Sequence, residues 1–182
     1  MPNAILDPTG RGAPSVVSAS GGRAERRGDL TGLRVGLLDN TKHNAMLFLQ
    51  EVGGLLVSRH GASSVSIVET KANFSVPVDE GIISRYREAC DVVITGVGDC
   101  GSCSAAAVAD GINFERAGIP AAVVLTDAFI VTGRTMAEVH GAPDYEWITT
   151  EHPMASLSAD EVRERAKRLV PQIVDALARV GS

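Results

Sequence analysis

Asp91-Val-Val-Ile-Thr-Gly-Val-Gly-Asp-Cys100-Gly-Ser-Cys103-Ser104 is the stretch that decides how this chain is read. A run of buried type, Val92 to Ile94, empties into glycines and then presents two cysteines at C-x-x-C spacing. Ala105-Ala-Ala-Val-Ala109 follows at once with the composition of a closely packed helix. A strand that ends in a glycine turn and starts a helix puts that turn at the carboxyl edge of a sheet, where open α/β folds bind their ligands. The first amides of the helix point at the turn, and their partial positive charge favours a thiolate there.

Working outward, strands and helices alternate. Leu33 to Leu38 reads as a first strand, Ala45 to His60 as a helix, Ser64 to Val68 as a second strand and Asp79 to Cys90 as a second helix. Val92 to Ile94 is the third strand, followed by a helix from Ser104 to about Arg116. Pro120 to Leu125 is a fourth strand, Phe129 to His140 a helix, and Glu146 to Ile148 a short fifth strand. A closing amphipathic helix, Ala159 to Val180, carries Leu169, Ile173, Val174, Leu177 and Val180 on one face, with Pro171 as a candidate kink. Alternation of this kind requires right-handed crossovers and a parallel sheet. The expectation is a single-domain, doubly wound, flavodoxin-like α/β fold of about five strands in the order 2-1-3-4-5, with its switch point between strands one and three. Residues 1–30, rich in Gly, Pro, Ser, Ala and Arg, read as an extended N-terminal arm, and residues 31–182 as the domain.

Composition narrows the function classes. The 182 residues suffice for one domain with a sizeable core, and 45% hydrophobic with 21% charged residues is ordinary for a globular protein. A net charge of −5 leaves no basic footprint for nucleic acid; Arg23, Arg26 and Arg27 read as a short solvated cluster. No apolar run approaches the roughly 18–20 residues needed to cross a membrane. The opening, Met1 to Arg27, lacks the apolar segment of a secretory signal, so a cytoplasmic location is expected. Three cysteines in such a chain read as reduced, functional thiols rather than a disulfide framework, with Cys90 as a buried small hydrophobe.

Chemistry gathers at the carboxyl edge. C-x-x-C spacing brings two sulfurs within bonding reach, so Cys100 can attack and Cys103 resolve; a structural disulfide or a zinc site is the alternative use of the pair, but no second C-x-x-C or H-x-x-x-H completes a zinc set. Asp99 either orients a substrate ammonium or binds loop amides. In Asp39-Asn-Thr-Lys-His43-Asn44, Asn40 and Asn44 are candidate ligand contacts or helix caps, and Lys42 and His43 candidates for a substrate carboxylate or a proton. Glu69-Thr-Lys71 lies lateral to the cleft, and Thr126-Asp127 supplies hydroxyl and carboxylate ligands or a cap. His152, held by Pro153 in the loop after strand five, is a better general acid than His60. Tyr145 and Trp147 read as packing residues, and no glycine pattern argues for a nucleotide or any other cofactor.

Gly96-Val-Gly-Asp-Cys100-Gly-Ser-Cys103 resembles the motif of the UGSC family of (seleno)proteins, whose first motif position is selenocysteine in some members and cysteine, as here at Cys100, in others. The resemblance runs through Ile5-Leu-Asp-Pro-Thr9, Asp110-Gly-Ile, Glu115-Arg-Ala-Gly-Ile-Pro120, His152-Pro153 and Leu157-Ser-Ala-Asp-Glu-Val. More distantly, Glu115 to Pro120 and the His152 to final-helix segment look like the selenoprotein B components of glycine, sarcosine and betaine reductases. The resemblance implies attack or redox exchange at Cys100, and cysteine in the selenocysteine place implies a weaker nucleophile.

The expected function is a thiol-dependent oxidoreductase. Cys100 attacks a small polar substrate, Cys103 resolves the adduct, His152 protonates the leaving group, and Asn40, Lys42, Asn44, Asp99 and Thr126 hold the substrate. An outside thiol reductant or partner protein is implied, and a homo-oligomer stays open. The alternatives are a cysteine-dependent lyase, hydratase or isomerase of aspartate/glutamate racemase type and a non-catalytic subunit of a multi-component reductase. The racemase superfamily takes its two cysteines from separate pseudo-symmetric halves, whereas both lie in one loop here.

Overall fold

The computed structural model describes residues 23–179. Five parallel strands, β1 (Arg34–Asp39), β2 (Ser64–Thr70), β3 (Val92–Gly98), β4 (Ala121–Thr126) and β5 (Ile148–Thr150), form one sheet in the order β2-β1-β3-β4-β5. Helices α1 (Ala45–Arg59), α2 (Glu80–Ala89), α3 (Gly101–Arg116), α4 (Ile130–Val139) and α5 (Ala159–Ala178) alternate with them, and a 3-10 turn, Asp127–Phe129, precedes α4. This is the flavodoxin-like sandwich, with the strand order and switch point the alternation predicts.

Each face of the sheet has its own reason to be covered. Val35 and Leu37 of β1 with Ile94 of β3 bury against Phe48, Leu49 and Val52 of α1 and Ala166, Leu169 and Ile173 of α5. On the other face Leu38 and Val93 meet Ile83 and Tyr86 of α2 and Phe114 of α3. Val123 and Leu125 meet Val108 and Ile112 of α3 and Ala137 of α4. The central strand β3 is buried along its whole length, which is why it reads as a continuous apolar run. β2, at an edge, alternates instead.

Boundaries differ from the sequence reading where caps and packing intervene. α3 begins at Gly101 rather than Ser104, because the Cys100 sulfur accepts the Cys103 N–H at 3.4 Å and so serves as N-cap. β5 lies two residues later than expected, at Ile148–Thr150, because it pairs with β4 from Val124 to Thr126. α5 runs through Pro171: the proline and Lys167, whose carbonyl it leaves without an N–H partner, both lie on the exposed side where water serves.

The segment read as a solvated basic arm is corrected in its described part. Ala24 and Leu30 are buried, and Leu30 belongs to the core around α1 and α5. Arg26 is not solvated: its guanidinium holds Glu115 at 2.5 Å, with side-chain exposures of only 7% and 4%. Glu115 also accepts Ala24 N–H at 2.6 Å and Ala121 N–H at 2.9 Å. One carboxylate thus ties the arm, the end of α3 and the start of β4 together. Arg23 and Arg27 are exposed as expected. Residues 1–22, the rest of that arm, lie outside the described part of the chain.

Candidate active site at the carboxyl edge of the sheet

β3 delivers the cysteine loop because its last residues are glycines. A Cβ on Gly96, at φ +135°, would lie 2.7 Å from the Val124 carbonyl oxygen, and one on Gly98 would lie 2.7 Å from Ser104 Oγ. Any side chain there would push β3 off β4 or α3 and move the loop. Cys100 then leaves the sheet and caps α3, and its sulfur is bonded to that of Cys103 one turn on, with Cα atoms 5.4 Å apart. Cys100 is partly exposed, whereas Cys103 is 4% exposed. Ser102 Oγ lies 3.9 Å from the Cys100 sulfur. Gly101 and Ser102 hold the first N–H groups of α3, which have no partner within a helix.

Exposure and the helix end together order the thiols. In the reduced protein iodoacetamide is expected to label Cys100 well before Cys103, and Cys90 last of all, read by peptide mass after timed quenching. Equal labelling of all three would remove the argument for an activated Cys100. Cys90 is buried, donates to the Tyr86 carbonyl, and is pushed up to about 12 by burial, so it is inert at neutral pH.

Asp99, the residue before Cys100, meets a histidine that is held on several sides. Nδ1 of His152 lies 2.9 Å from Asp99 Oδ1 and 3.2 Å from Thr126 Oγ1. The Thr126 hydroxyl donates to the Gly98 carbonyl, leaving its oxygen to accept, so both neighbours of Nδ1 are acceptors. That assigns the hydrogen of the neutral ring to Nδ1 and a free lone pair to Nε2. The His152 backbone N–H donates to Asp127 Oδ1 at 3.1 Å, and the Phe129 ring meets the imidazole edge-on at 5.5 Å. The side chain remains 38% exposed, and Nε2 has no hydrogen-bond partner among the described residues.

Asp99 is 5% exposed and accepts the Met154 and Ala155 amides at 3.1 and 2.9 Å. Its carboxylate thus binds the β5–α5 loop amides, one of its two readings, and meets His152. Thr126 likewise serves Gly98 and His152. The amides of Asn40 and Asn44, read as ligand contacts or caps, are occupied by the protein: Asn40 Oδ1 accepts the Lys42 N–H at 3.4 Å, ahead of α1, and neither side chain caps the helix itself. Asn40, 1% exposed, donates to the Val97 carbonyl at 3.0 Å. Asn44 donates to the Met154 and Leu157 carbonyls at 3.1 and 2.9 Å, and in its left-handed conformation, φ 71°, makes no side-chain cap to α1. These two asparagines tie the loop after β1 to the end of β3 and to the loop after β5. His43 Nδ1 meets the Ala155 carbonyl at 2.7 Å. Lys42 is half-buried at this edge, and its ammonium has no hydrogen bond or ion pair among the described residues. α1 beside it has no acidic residue in its first turn.

Two features escaped the sequence. Lys71, read as lateral to the cleft, is buried against Asp110 of α3 at 2.5 Å, and Asp110 also accepts the Val78 N–H at 2.7 Å. Burial pushes the Asp110 carboxyl up, with the Lys71 ammonium working against it. Asp39 is buried with Oδ1 unpartnered, and burial raises its carboxyl as well. No local spacing signals either. Glu69, by contrast, is a surface partner of Arg85. Tyr145 and Trp147 pack against the α3–β4 core as expected.

A cavity of about 270 Å³ opens at the opposite, amino end of the sheet. Its charged groups already pair with one another, Arg23 with Glu146, Arg26 with Glu115 and Arg179 with Asp175. Among the described residues no group of three or more His, Cys, Asp or Glu is placed to hold a metal ion. No described helix is long and apolar enough to cross a membrane. Neither the curated proteins nor the solved structures contain a match to this chain. The UGSC family model does match, over residues 4–179, a span that takes in the cysteine loop, the histidine loop and the closing helix, and the chain therefore belongs to the UGSC family.

Proposed function

We propose that this protein is a thiol-dependent oxidoreductase acting on a small, carboxylate-bearing electrophile. The observation that carries the reading is a bonded pair of cysteines in the first turn of α3, one partly exposed and one recessed, together with a histidine backed by Asp99, the residue before Cys100. Lys42 and the uncapped start of α1 offer positive charge to a substrate carboxylate at the same edge.

In the reduced enzyme Cys100 attacks as thiolate. A sulfur–substrate bond forms, the bond to the leaving group breaks, and the leaving group departs with a proton from protonated His152 Nε2. The Cys103 thiol then attacks the Cys100 sulfur. The disulfide forms, and the substrate fragment leaves with the electron pair and takes up a proton. The substrate gains two electrons, the enzyme is left as the disulfide, and an outside dithiol returns it.

Cys103→Ser tests this directly. After incubation with the small-molecule fraction of a cell extract, the variant is expected to carry a covalent adduct on Cys100 by intact mass. The wild type is expected to end as the disulfide, lighter by the two thiol hydrogens, and to turn over repeatedly only with a dithiol present. Repeated turnover without any reductant, with both thiols still free afterwards, sinks the redox reading. It would promote a lyase or isomerase, for which a histidine with a free Nε2 lone pair is the supporting observation.

A further inference from the structure

The redox reading uses His152 as an acid; the ring is also held in the tautomer that leaves Nε2 free to act as a base. Asp99 lies beside Nδ1, the Thr126 oxygen accepts there, Asp127 fixes the backbone, and Phe129 packs against the ring. Thiol–disulfide exchange needs a nucleophile and a leaving group of suitable pKa. A base oriented by a buried carboxylate is what a cysteine needs to attack a carbonyl and to let water follow.

The residue that orients His152, Asp99, is the immediate chain neighbour of Cys100, so the orienting carboxylate and the nucleophile leave the end of β3 together. Beyond Cys100, the Gly101 and Ser102 amides at the start of α3 have no partner within the helix and are available to a developing oxyanion.

We infer that the reduced protein has a second activity: Cys100, His152 and Asp99 hydrolyse a small activated acyl compound, a thioester or ester carrying a carboxylate for Lys42. The inference rests on Cys100 being the nucleophile of the redox reading but does not use Cys103. His152 Nε2 takes the Cys100 proton, and the thiolate adds to the carbonyl carbon. The carbon–sulfur bond forms, the bond to the leaving thiol or alcohol breaks, and that group departs with the proton from Nε2. Nε2 then deprotonates a water, which adds to the acyl-enzyme; the carbon–sulfur bond breaks, the carboxylic acid leaves, and the thiol is restored. No electron changes hands. Asp99 is a positioning residue in this scheme, acting through the imidazole.

The test uses the full chain as Cys103→Ser, kept reduced, with p-nitrophenyl acetate and the mono-p-nitrophenyl ester of a small dicarboxylic acid as probes. The expected result is repeated release of p-nitrophenolate, faster for the carboxylate-bearing ester, with an acyl group on Cys100 by rapid-quench mass spectrometry. Adding His152→Ala should slow turnover by about 10²–10⁴-fold, the range for a lost general acid–base group. Adding Asp99→Asn should shift the pH profile of turnover, a change that a merely structural role would not produce. Acylation of Cys100 that stops after one equivalent, or turnover indifferent to His152→Ala, overturns the hydrolase inference while leaving the redox nucleophile standing. Absence of any acyl group on Cys100 overturns the inference; only if Cys100 also fails to take an adduct from the cell extract does the redox reading fall with it.

Discussion

Turnover of whichever electrophile labels Cys100 is expected to fall about 10²–10⁴-fold in His152→Ala, the usual worth of general acid–base catalysis. The thermal midpoint should stay close to that of the wild type. The two halves of this expectation come from different atoms. The catalytic loss follows from removing Nε2, the proton-handling nitrogen of the cluster. Structural tolerance follows because the imidazole is 38% exposed and Asp99 keeps the Met154 and Ala155 amides when the ring is gone. His152 N–H to Asp127 is a backbone bond that alanine preserves. Steady-state kinetics beside a melting curve separates the outcomes. A variant that unfolds, or one that works normally, shows that the histidine is structural.

At the other end of α3 the effect should be on stability. Glu115→Ala is expected to destabilise the fold by about 3–5 kcal/mol, the range for stripping one partner from a buried ion pair. Arg26 would be left charged and 7% exposed with no anion, and the Ala24 and Ala121 amides would lose their acceptor. Urea unfolding followed by circular dichroism measures the shift. Arg26→Met with Glu115→Leu should recover only part of the loss: apolar groups of similar volume relieve the orphaned charge but not the two amides. A midpoint unchanged in Glu115→Ala would mean that the knot between arm, α3 and β4 contributes nothing to the fold.

The sheet was legible because its signals are local and repeated. Val92–Ile94 and Pro120–Leu125 are short apolar runs flanked by turn residues; alternation with helical segments fixes parallel pairing, and the commonest doubly wound pattern supplies the strand order. The position of the candidate site followed from the same topology, since loops after β1, β3, β4 and β5 share the carboxyl edge of a parallel sheet. What each side chain does there was less legible. Asn40 and Asn44 have the residue type of ligand contacts, yet their partners are the carbonyls of Val97 in β3 and of Met154 and Leu157 in the loop after β5, which only the folded chain brings near. The Arg26–Glu115 and Lys71–Asp110 pairs join residues 89 and 39 apart, and nothing in their neighbourhoods marks them as buried. α3 started early for a local reason that composition hides, because cysteine is not among the preferred capping residues.

That cap narrows what position 100 can be. An N-cap must accept a hydrogen bond from the helix, and a nucleophile must donate an electron pair to a substrate; the Cys100 sulfur does the first in the structure and the second in the proposed chemistry, from one atom. Serine and aspartate satisfy the helix but attack poorly, while alanine does neither. Loss of activity in Cys100→Ala therefore mixes a missing sulfur with a frayed helix start. Serine is the substitution that removes the thiol and keeps the architecture, and a comparison of the two assigns the remainder to the cap.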